Sequence, residues 1–589
     1  MNGADGHLHD LRQALALISS ASPAEALLLL DAIPADSALH PHALHLRGIA
    51  HATQGRTVDA IAAFEGALPW LAGNDELLAN LARAYAAGGR FNDALILLDK
   101  VVDLGKASAA TFSDRAALLE KMDKDAQALG SYDAALELDA TLVLAWSGKG
   151  NLLHKMRRYQ EALSCHDRVI DMQPHNALAR SNRASTLDKL GRMDEGLAEH
   201  QLAQALDPGQ AAIWSGHGVC LVLLGRLEEG EHCFGRALEI DPLHPQALIN
   251  RASVLAELCR YEESFRQFAA ALQCAPSGSR LSAQALSFQG MVRLALGDPA
   301  GWGGYEYRHH ADPEMAIRDA VAPQWSGAVP LTGKRILLWG EQGYGDVIQF
   351  CRYTAPLVEL GATVILEVPI PLLALCASLP AHAVLGKGAD LPSHDFHIPM
   401  MSMPLALQSQ PQLAGMPSAH GYLHADPRFI EKWKQAMPPP KRNMRIGIAC
   451  SGALKHKRNA QRSIPLEKLL SLITLADLVI LQPELMPDDL SVATATPDLF
   501  QPTLDIDDFA DVAGLIANVD LVISVDTSIA HLAGAMGLPV WILLPWGAEW
   551  RWMTNRTDTP WYASARLFRQ AARNDWDAVI HEVLGVLNA

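Results

Sequence analysis

The sequence predicts an all-α array of helical hairpins followed by an α/β region with two parallel sheets. Small, bulky and proline residues recur every 34 residues in the N-terminal half. In the C-terminal half, short runs of β-branched and apolar residues alternate with short helical patterns, which is typical of parallel sheets covered on both faces. The chain has 589 residues, of which 49% are hydrophobic, so several folded domains are expected.

The 34-residue period holds over eight units. Two positions are always small, and a third is bulky or histidine. The first small series is Ala26, Ala60, Ala94, Ala128, Ala162, Gly196, Gly230 and Ser264, and the second is Ala14, Gly48, Ala82, Ala116, Gly150, Ala184, Gly218 and Ala252. The bulky series is Leu30, Phe64, Leu98, Tyr132, His166, His200, Phe234 and Phe268. This pattern is the tetratricopeptide signature and predicts a superhelix over residues 1–278. His166 and His200 are interpreted as packed rings more readily than as ligands.

The C-terminal part contains a strand, a polar turn and a helix in immediate succession. Residues 521–525 read as a buried strand, Asp526-Thr527-Ser528 as the turn, and the small residues after them as a helix that carries His531. Free N–H groups at a helix N-terminus favour a bound phosphate. The turn therefore predicts a phosphate site, and the alternative is an ordinary crossover in which Asp526 only caps the helix.

Two further strand ends carry polar residues. Residues 334–340 form a predicted strand that enters a turn with Gly343, Gly345 and Asp346, where ligands bind in open α/β sheets. Residues 444–450 form the first strand of a second α/β domain, and a cationic loop follows it, with Lys455, Lys457 and Arg458. We interpret this loop as an anion site, and a solvated charged loop is the alternative.

Together these stretches resemble the heptosyltransferase-like enzymes of glycosyltransferase family 9. More closely, they are similar to bacterial proteins that join tetratricopeptide repeats to such a domain. The matching stretches are WGEQGYGDVIQFCRY at 339–353, RSIPL at 462–466, SVDTSIAHLAGAMGLPVWILLPW at 524–546, WRWM at 550–553 and PWYASARLFRQ at 560–570. The resemblance covers residue 325 onward and implies a GT-B fold, in which two Rossmann-like domains face each other, without a metal.

The expected domain limits follow from proline- and glycine-rich stretches. Residues 279–333 are interpreted as a degenerate helical hairpin and linker that docks the array. Residues 334–430 are expected to form the acceptor-side domain, 431–443 the hinge, and 444–589 the nucleotide-sugar domain. The resemblance implies that the last helix, at residues 576–587, returns to pack on the first α/β domain.

The resemblance also assigns chemical roles to residues. Asp346 matches the proposed base of the family, which takes the proton of the acceptor hydroxyl. Gly343, Gly345, Asp526 and His531 are expected around the donor. Fixed cations and helix-end groups would stabilise the departing phosphate, and we assign this to Lys455, Lys457, Arg458, Thr527 and Ser528. A single base and direct displacement predict inversion. No cofactor is expected, and the donor is a nucleotide sugar, either ADP-heptose-like or a CMP-linked nonulosonate.

The repeats are expected to recruit the acceptor. In some tetratricopeptide glycosyltransferases, asparagines of the first helix of each pair hold a peptide backbone, and Asn80, Asn182 and Asn250 occupy that position here. Asp114, Gly148 and Gly216 interrupt the series, so the alternative is that these asparagines are merely exposed polar residues. The leading reading is a glycosyltransferase that modifies a protein, with flagellin as a plausible acceptor. The alternatives are an enzyme of lipopolysaccharide or capsule assembly whose repeats bind a partner protein, and an inactive adaptor.

Charge and composition argue against several further classes of protein. A net charge of −17 argues against general binding of nucleic acid or anionic membranes. The first ten residues lack the features of a signal peptide, and the apolar run near 529–546 is too interrupted to span a bilayer. The eight cysteines form no CxxC pair, so a zinc or disulfide framework is not expected. A cytoplasmic protein is the expectation.

Overall fold

A computed structural model describes residues 3–312, 315, 322–408, 421–452, 459–502, 506–547 and 549–589. The chain divides into two compact units, Met1–Ile240 and Asp241–Ala589. The first unit is all-α. The second contains the last helical hairpins and both parallel sheets.

The first unit consists of helices that pair in sequence order. Its helices are α1 Gly3–Ser19, α2 Pro23–Asp31, α3 His40–Thr53, α4 Thr57–Ala67, α5 Asp75–Ala87, α6 Phe91–Asp103, α7 Ala109–Lys121, α8 Asp125–Leu138, α9 Val143–Lys155, α10 Tyr159–Met172, α11 Ala177–Lys189, α12 Met193–Leu206, α13 Ala211–Leu223 and α14 Leu227–Ile240. Each odd-numbered helix packs on the helix that follows it. The result is the array of antiparallel hairpins that the 34-residue period predicts.

The small residues of the period lie where two helices cross. A Cβ added to Gly48 would lie 2.3 Å from the ring of Phe64, and one added to Gly218 would lie 2.7 Å from the ring of Phe234. These pairs join the second small series to the bulky series of the same repeat. Close packing leaves no room for a larger side chain there, which explains why this position of the period is always small.

The second unit begins with five helices, of which the first two carry the eighth unit of the 34-residue period. They are α15 Pro245–Glu257, α16 Tyr261–Cys274, α17 Arg280–Ala295, α18 Gly301–Tyr305 and α19 Arg308–Ala311. Backbones of α17 and α18 approach closely, because a Cβ on Gly290 would lie 2.6 Å from the nitrogen of Tyr305. The ring of Trp302 on α18 meets Trp550 at 5.3 Å and Phe350 at 6.2 Å between centroids. This hairpin therefore packs on the α/β region itself.

The first sheet has four parallel strands in the order β3-β2-β1-β4. The elements are β1 Arg335–Trp339, α20 Tyr344–Phe350, α21 Thr354–Glu359, β2 Thr363–Val368, α22 Leu373–Cys376, β3 Ala383–Gly386, β4 Phe396–Pro399 and α23 Met403–Leu407. The chain leaves β1 for one side of the sheet and returns on the other side as β4. The switch point thus lies between β1 and β4, where the turn that contains Gly343, Gly345 and Asp346 begins.

The second sheet has six parallel strands in the order β10-β9-β8-β5-β6-β7. After α24 Pro427–Ala436, the elements are β5 Arg445–Ala449, α25 Asn459–Arg462, α26 Leu466–Leu469, β6 Asp477–Ile480, α27 Pro487–Thr494, β7 Leu499–Phe500, α28 Phe509–Ile516, β8 Leu521–Val525, α29 Ser528–Ala535, β9 Val540–Leu544, β10 Ala565–Arg569 and α30 Trp576–Leu587. Numbered from β5, this is the 3-2-1-4-5-6 order of dinucleotide-binding folds. Its switch point lies between β5 and β8.

Two expectations about the connections differ from the structure. Helix α30 does not return to the first sheet: its buried residues Trp576, Val579 and Val583 belong to the core of the second sheet, together with Phe568. The expectation taken from the family is wrong here because the apolar face of α30 is already covered by its own domain. The proposed hinge at 431–443 overlaps α24 as far as Ala436, and Trp433 in this helix donates to the carbonyl oxygen of Asp511 at 2.9 Å.

Candidate functional site

The polar turns of the two sheets meet in one place. Helix α20, which follows β1, packs on α29, which follows β8. A Cβ added to Gly345 would lie 2.9 Å from Cδ2 of His531 and 3.6 Å from Cα of Ser528. Only a residue without a side chain allows this approach. The structure thus brings Gly345 to Ser528 and His531, which follow it by 183 and 186 positions in sequence.

Asp346 is held on both sides. One carboxylate oxygen accepts a hydrogen bond from the N–H of Gly343 at 2.9 Å, which caps α20. The other oxygen is paired with the guanidinium of Arg551. Both side chains are largely buried, with 17% and 12% of their surface exposed. Asp346 is therefore a fixed, charge-paired carboxylate at the switch point of the first sheet.

Arg551 also pairs with a second carboxylate, that of Glu549. Burial raises the pKa of Glu549 to about 7, Arg551 opposes this shift, and the nearby charges of Asp526 and Asp346 add to it. A carboxyl group that changes its protonation state near neutral pH is suited to accept or donate a proton in catalysis. The sequence reasoning did not single out Glu549 or Arg551.

His531 lies in the middle of the cluster as a neutral imidazole. Its Nδ1 is 2.9 Å from the hydroxyl of Tyr562, and its ring stacks on Trp552 with 5.0 Å between centroids. Its Nε2 is 3.9 Å from Oδ1 of Asp526. Burial lowers the pKa of His531 well below its ordinary value, and the charge of Arg551 lowers it further. His531 thus lies next to Asp526, at a distance longer than a hydrogen bond.

The turn after β8 is tied to the segment after β5. Arg462, the last residue of α25, donates from Nη1 to the backbone oxygen of Asp526 at 2.9 Å. Arg462 also crosses Gly452, where a Cβ would lie 2.3 Å from Nη2. Burial lowers the pKa of Arg462, while Asp526, among other carboxylates, opposes the shift. A cation therefore lies at the switch point of the second sheet, where the cationic loop was expected.

The remaining donor-side residues divide into three kinds. Thr527 uses its hydroxyl to cap α29, accepting from the N–H of Ile529 at 3.3 Å, so this hydroxyl is already engaged. Ser528 is the first residue of α29 and is partly exposed. Lys455, Lys457 and Arg458 lie outside the described residues.

Buried basic residues brace the cluster. Arg308, on α19, makes a two-pronged ion pair with Glu341 in the turn after β1, with distances of 2.7 and 3.0 Å. Each of these side chains is only 3% exposed. Arg352 reaches from the first α/β half to the carbonyl oxygen of Trp561 in the second half at 2.7 Å. These contacts hold the two turns in register with each other.

The asparagines assigned to the acceptor are all half-buried and engaged. Nδ2 of Asn80 lies 3.0 Å from Nε2 of His45, and Nδ2 of Asn182 donates to Asn151 at 2.9 Å. Asn250 accepts from Gln246 at 2.9 Å. Asn80 and Asn182 thus link neighbouring repeats, which is a structural reason for their presence that does not need a bound peptide.

The sequence contained a signal for most of the residues that the reasoning missed. Glu341, Arg462, Arg551 and Tyr562 all lie inside the stretches that carry the family resemblance, but they were not assigned roles. Glu549 lies one residue before such a stretch. An acidic or basic residue within a run of tryptophans, as in the stretch at 549–552, is a signal of a buried charge that must be paired.

Comparisons with known proteins identify the class of the N-terminal half. Tetratricopeptide repeat models match residues 51–110 and, for a second model, residues 11–76, 147–211 and 221–279. The repeat prediction is confirmed: the N-terminal half of the chain carries tetratricopeptide repeats, and an α/β region follows them. Such repeats are protein-binding scaffolds.

Individual proteins are similar to parts of the chain. Protein FlbA of Caulobacter vibrioides is 26% identical over 324 residues, which are 50% of this chain and 53% of FlbA. The chain therefore spans about half the length of the curated relative that it matches. A tetratricopeptide repeat protein from Parabacteroides merdae is 18% identical with a TM-score of 0.35, over 40% of this chain and 94% of that one. YrrB, a repeat protein with an unusual peptide-binding site, is 26% identical with a TM-score of 0.24, over 32% and 95%.

Within the described part of the chain, none of the helices has the length and apolar character needed to cross a bilayer.

Proposed function

We propose that the chain is a nucleotide-sugar-dependent glycosyltransferase that transfers a sugar, with inversion and without a metal, to a protein recruited by the repeats. The observation that carries this proposal is the meeting of two strand-to-helix turns, one from each parallel sheet, around Arg551 and three carboxylates. In open α/β sheets such turns are where ligands bind. Two sheets that present their switch points to one another suit a reaction between a donor and an acceptor.

The second sheet is the proposed donor side. Its strand order is that of nucleotide-binding folds, and the N-terminus of α29 offers free N–H groups at the switch point. Arg462 adds a buried cation next to Asp526. As the bond from the anomeric carbon to the phosphate oxygen breaks, the phosphate leaves with the electron pair. Fixed positive charge and N–H groups stabilise that developing charge.

The first sheet is the proposed acceptor side. The acceptor hydroxyl attacks the anomeric carbon and gives up its proton to a carboxylate. The family resemblance assigns this role to Asp346. Glu549 is a second candidate because its pKa is about 7. Both carboxylates are paired with Arg551, so the raised pKa, and not a free oxygen, distinguishes Glu549 from Asp346. Asp346 would then orient Arg551 and the turn, and Glu549 would take the proton.

The acceptor proposal rests on the repeats and on the family resemblance. Tetratricopeptide arrays bind extended protein segments. Bacterial proteins of this architecture modify flagellin, which makes flagellin the first acceptor to test. The donor is proposed to be ADP-heptose-like or a CMP-linked nonulosonate, and neither requires a cofactor.

The test is an intact mass spectrum of a flagellin co-expressed with the full chain or with its Asp346→Asn variant. We expect a mass increase equal to one or more glycosyl residues with the wild type only. Calorimetry with ADP, CMP, UDP and GDP then identifies the donor nucleotide. Binding of a nucleotide without modification of any protein would favour a glycan acceptor. If none of the four nucleotides binds, the inactive adaptor would be favoured.

A further inference from the structure

Three metal-ligating side chains meet inside the repeat array, away from the candidate site. They are Asp188 near the end of α11, His200 in α12 and Cys220 in α13. One ligand atom of each lies within 4.8 Å of the others. All three residues are buried, with 8%, 0% and 0% of their surface exposed. The sequence reasoning treated His200 as a packed ring, because the three residues are not close in sequence.

The polar atoms of this cluster are incompletely satisfied by the protein. Nε2 of His200 lies 3.1 Å from Oδ2 of Asp188. The thiol of Cys220 donates a hydrogen bond to the carboxylate of Asp188. Within the described residues, Oδ1 of Asp188 has no N–H or O–H donor, and Nδ1 of His200 has no hydrogen-bond partner. A buried carboxylate is costly unless opposite charge and hydrogen bonds compensate it. A cation bound between these groups would supply that compensation.

The neighbouring repeat shows that the fold does not need these donors. One period later, the residues that correspond to Asp188, His200 and Cys220 are Val222, Phe234 and Val254. The local geometry is also equivalent. A Cβ on Gly196 would lie 2.2 Å from Oδ1 of Asp188, and one on Gly230 would lie 2.7 Å from Cγ2 of Val222. The next repeat thus has apolar residues at these positions, so the 34-residue period itself does not require the polar groups of Asp188, His200 and Cys220.

We propose that Asp188, His200 and Cys220 bind one zinc ion. Zinc takes sulfur, nitrogen and oxygen ligands together, and a thiolate with an imidazole favours zinc over magnesium, calcium or manganese. Zinc–ligand bonds of about 2.0–2.3 Å require a modest inward rotation of Cys220, and water completes the four-coordinate site. Binding replaces the thiol proton of Cys220 with the metal, and the proton is released to solvent.

Such an ion would tie three consecutive helices together. The hairpin of α11 and α12 supplies Asp188 and His200, and the first helix of the next repeat supplies Cys220. Repeat arrays owe their stability to contacts between neighbours, so a metal at this position would strengthen one specific junction of the array.

The experiment measures metal in the purified full chain. The protein is treated with a chelator, dialysed, and titrated with Zn²⁺ or with Co²⁺ as a spectroscopic probe. We expect about one zinc per chain, a cobalt spectrum with a thiolate-to-metal charge-transfer band, and an increase in Tm when zinc is added. Absence of the charge-transfer band in the wild type would overturn the proposal.

Matched variants separate this site from other thiols. Cys220→Ser, and the triple variant Asp188→Val, His200→Phe, Cys220→Val that copies the next repeat, should both lose the cobalt band and the zinc-dependent increase in Tm. His166→Phe, one repeat earlier, and Cys259→Ser, at an exposed cysteine, should keep both. If the triple variant fails to fold, Cys220→Ser decides alone. Equal zinc content and an equal cobalt band in the wild type and Cys220→Ser would refute the assignment.

Discussion

The carboxylate of Asp346, at the start of a helix in the first α/β half, is paired with the guanidinium of Arg551 in the second half. The two residues are 205 positions apart. The pair joins the switch points of two separate sheets and places Glu549 beside them. A charged contact of this kind has to form after both sheets exist, so it reports on the complete α/β region.

The first prediction concerns Asp346. Replacing Asp346 with Asn keeps the oxygen that caps α20 at Gly343 but removes the charge that Arg551 requires. We expect turnover to fall by roughly 100-fold or more, as for the loss of a general base or of the group that orients it. Nucleotide affinity, measured by calorimetry, should change little. Near-normal turnover in a folded Asp346→Asn protein would show that Asp346 is neither the general base nor the group that orients it.

The second prediction concerns Glu549, whose pKa is raised by burial to about 7 from an ordinary 4.5. Between these two values the folded protein keeps a proton that the unfolded chain releases. Stability is therefore highest below the unfolded pKa and is lost as the pH rises through the folded pKa. In Glu549→Gln this pH dependence should disappear. Thermal unfolding of both proteins across this pH range measures the difference.

The same variant separates the two candidate bases. If Glu549 takes the proton, the wild-type rate should rise with a pKa near 7, and Glu549→Gln should lose that rise. Retention of the full pH profile in Glu549→Gln would leave Asp346 as the base.

The third prediction concerns the contact between the two helices of the site. Gly345→Ala places a methyl group against His531, which Tyr562 and Trp552 hold in position. We expect a loss of about 1–3 kcal/mol in stability, as for overpacking, together with weaker nucleotide binding. Gly343→Ala is the matched control, since its Cβ would meet only Asp346 at 3.4 Å and its φ is −70°. Equal effects of both changes would mean that the close approach at Gly345 is unimportant.

The fourth prediction tests the spacing of the repeats. Gly218→Val directs a branched side chain into the ring of Phe234, so stability should fall by about 1–3 kcal/mol or more. Gly130 is also helical, but it is exposed and a Cβ there meets nothing within 4 Å. Gly130→Val should therefore be neutral or slightly stabilising, because glycine is a poor helix former. Urea unfolding followed by circular dichroism compares the two. A loss of similar size in Gly130→Val would show that the contact of position 218 with Phe234 is not the cause of the effect.

The fifth prediction concerns fragments. A chain that starts near residue 311 leaves Glu341 buried without Arg308, and breaking such a pair typically costs about 3–5 kcal/mol. We expect the fragment 241–589 to fold and bind nucleotide, and 311–589 to be unstable. Fragment 1–240 should bind the acceptor, and 241–589 should modify it poorly. If folded 241–589 modified the acceptor as fast as the full chain, recruitment by residues 1–240 would be refuted.

Periodicity and strand patterns were enough to predict the architecture. The repeats follow from small and bulky residues at a fixed spacing, and the two parallel sheets follow from apolar runs such as 521–525. Gly345, Asp346 and His531 could be assigned to the candidate site from the sequence because each lies in the turn or helix that follows a predicted strand. The contacts between these side chains and others were not predictable. The order of residues does not show that Arg551 pairs with Asp346 or that Cys220 lies near Asp188. Such contacts depend on how separate elements pack in three dimensions.

The buried pair of Arg308 and Glu341 also bears on how proteins of this kind can exchange their parts. One repeat array can be substituted for another by recombination or by design. The end of the periodic sequence, near Pro276, is then an unsuitable fusion point. The eighth hairpin and the helices after it belong to the compact body that holds the sheets. A joint between Ile240 and Asp241 keeps Arg308 on the same piece as Glu341, so the array upstream can be exchanged without breaking this buried pair.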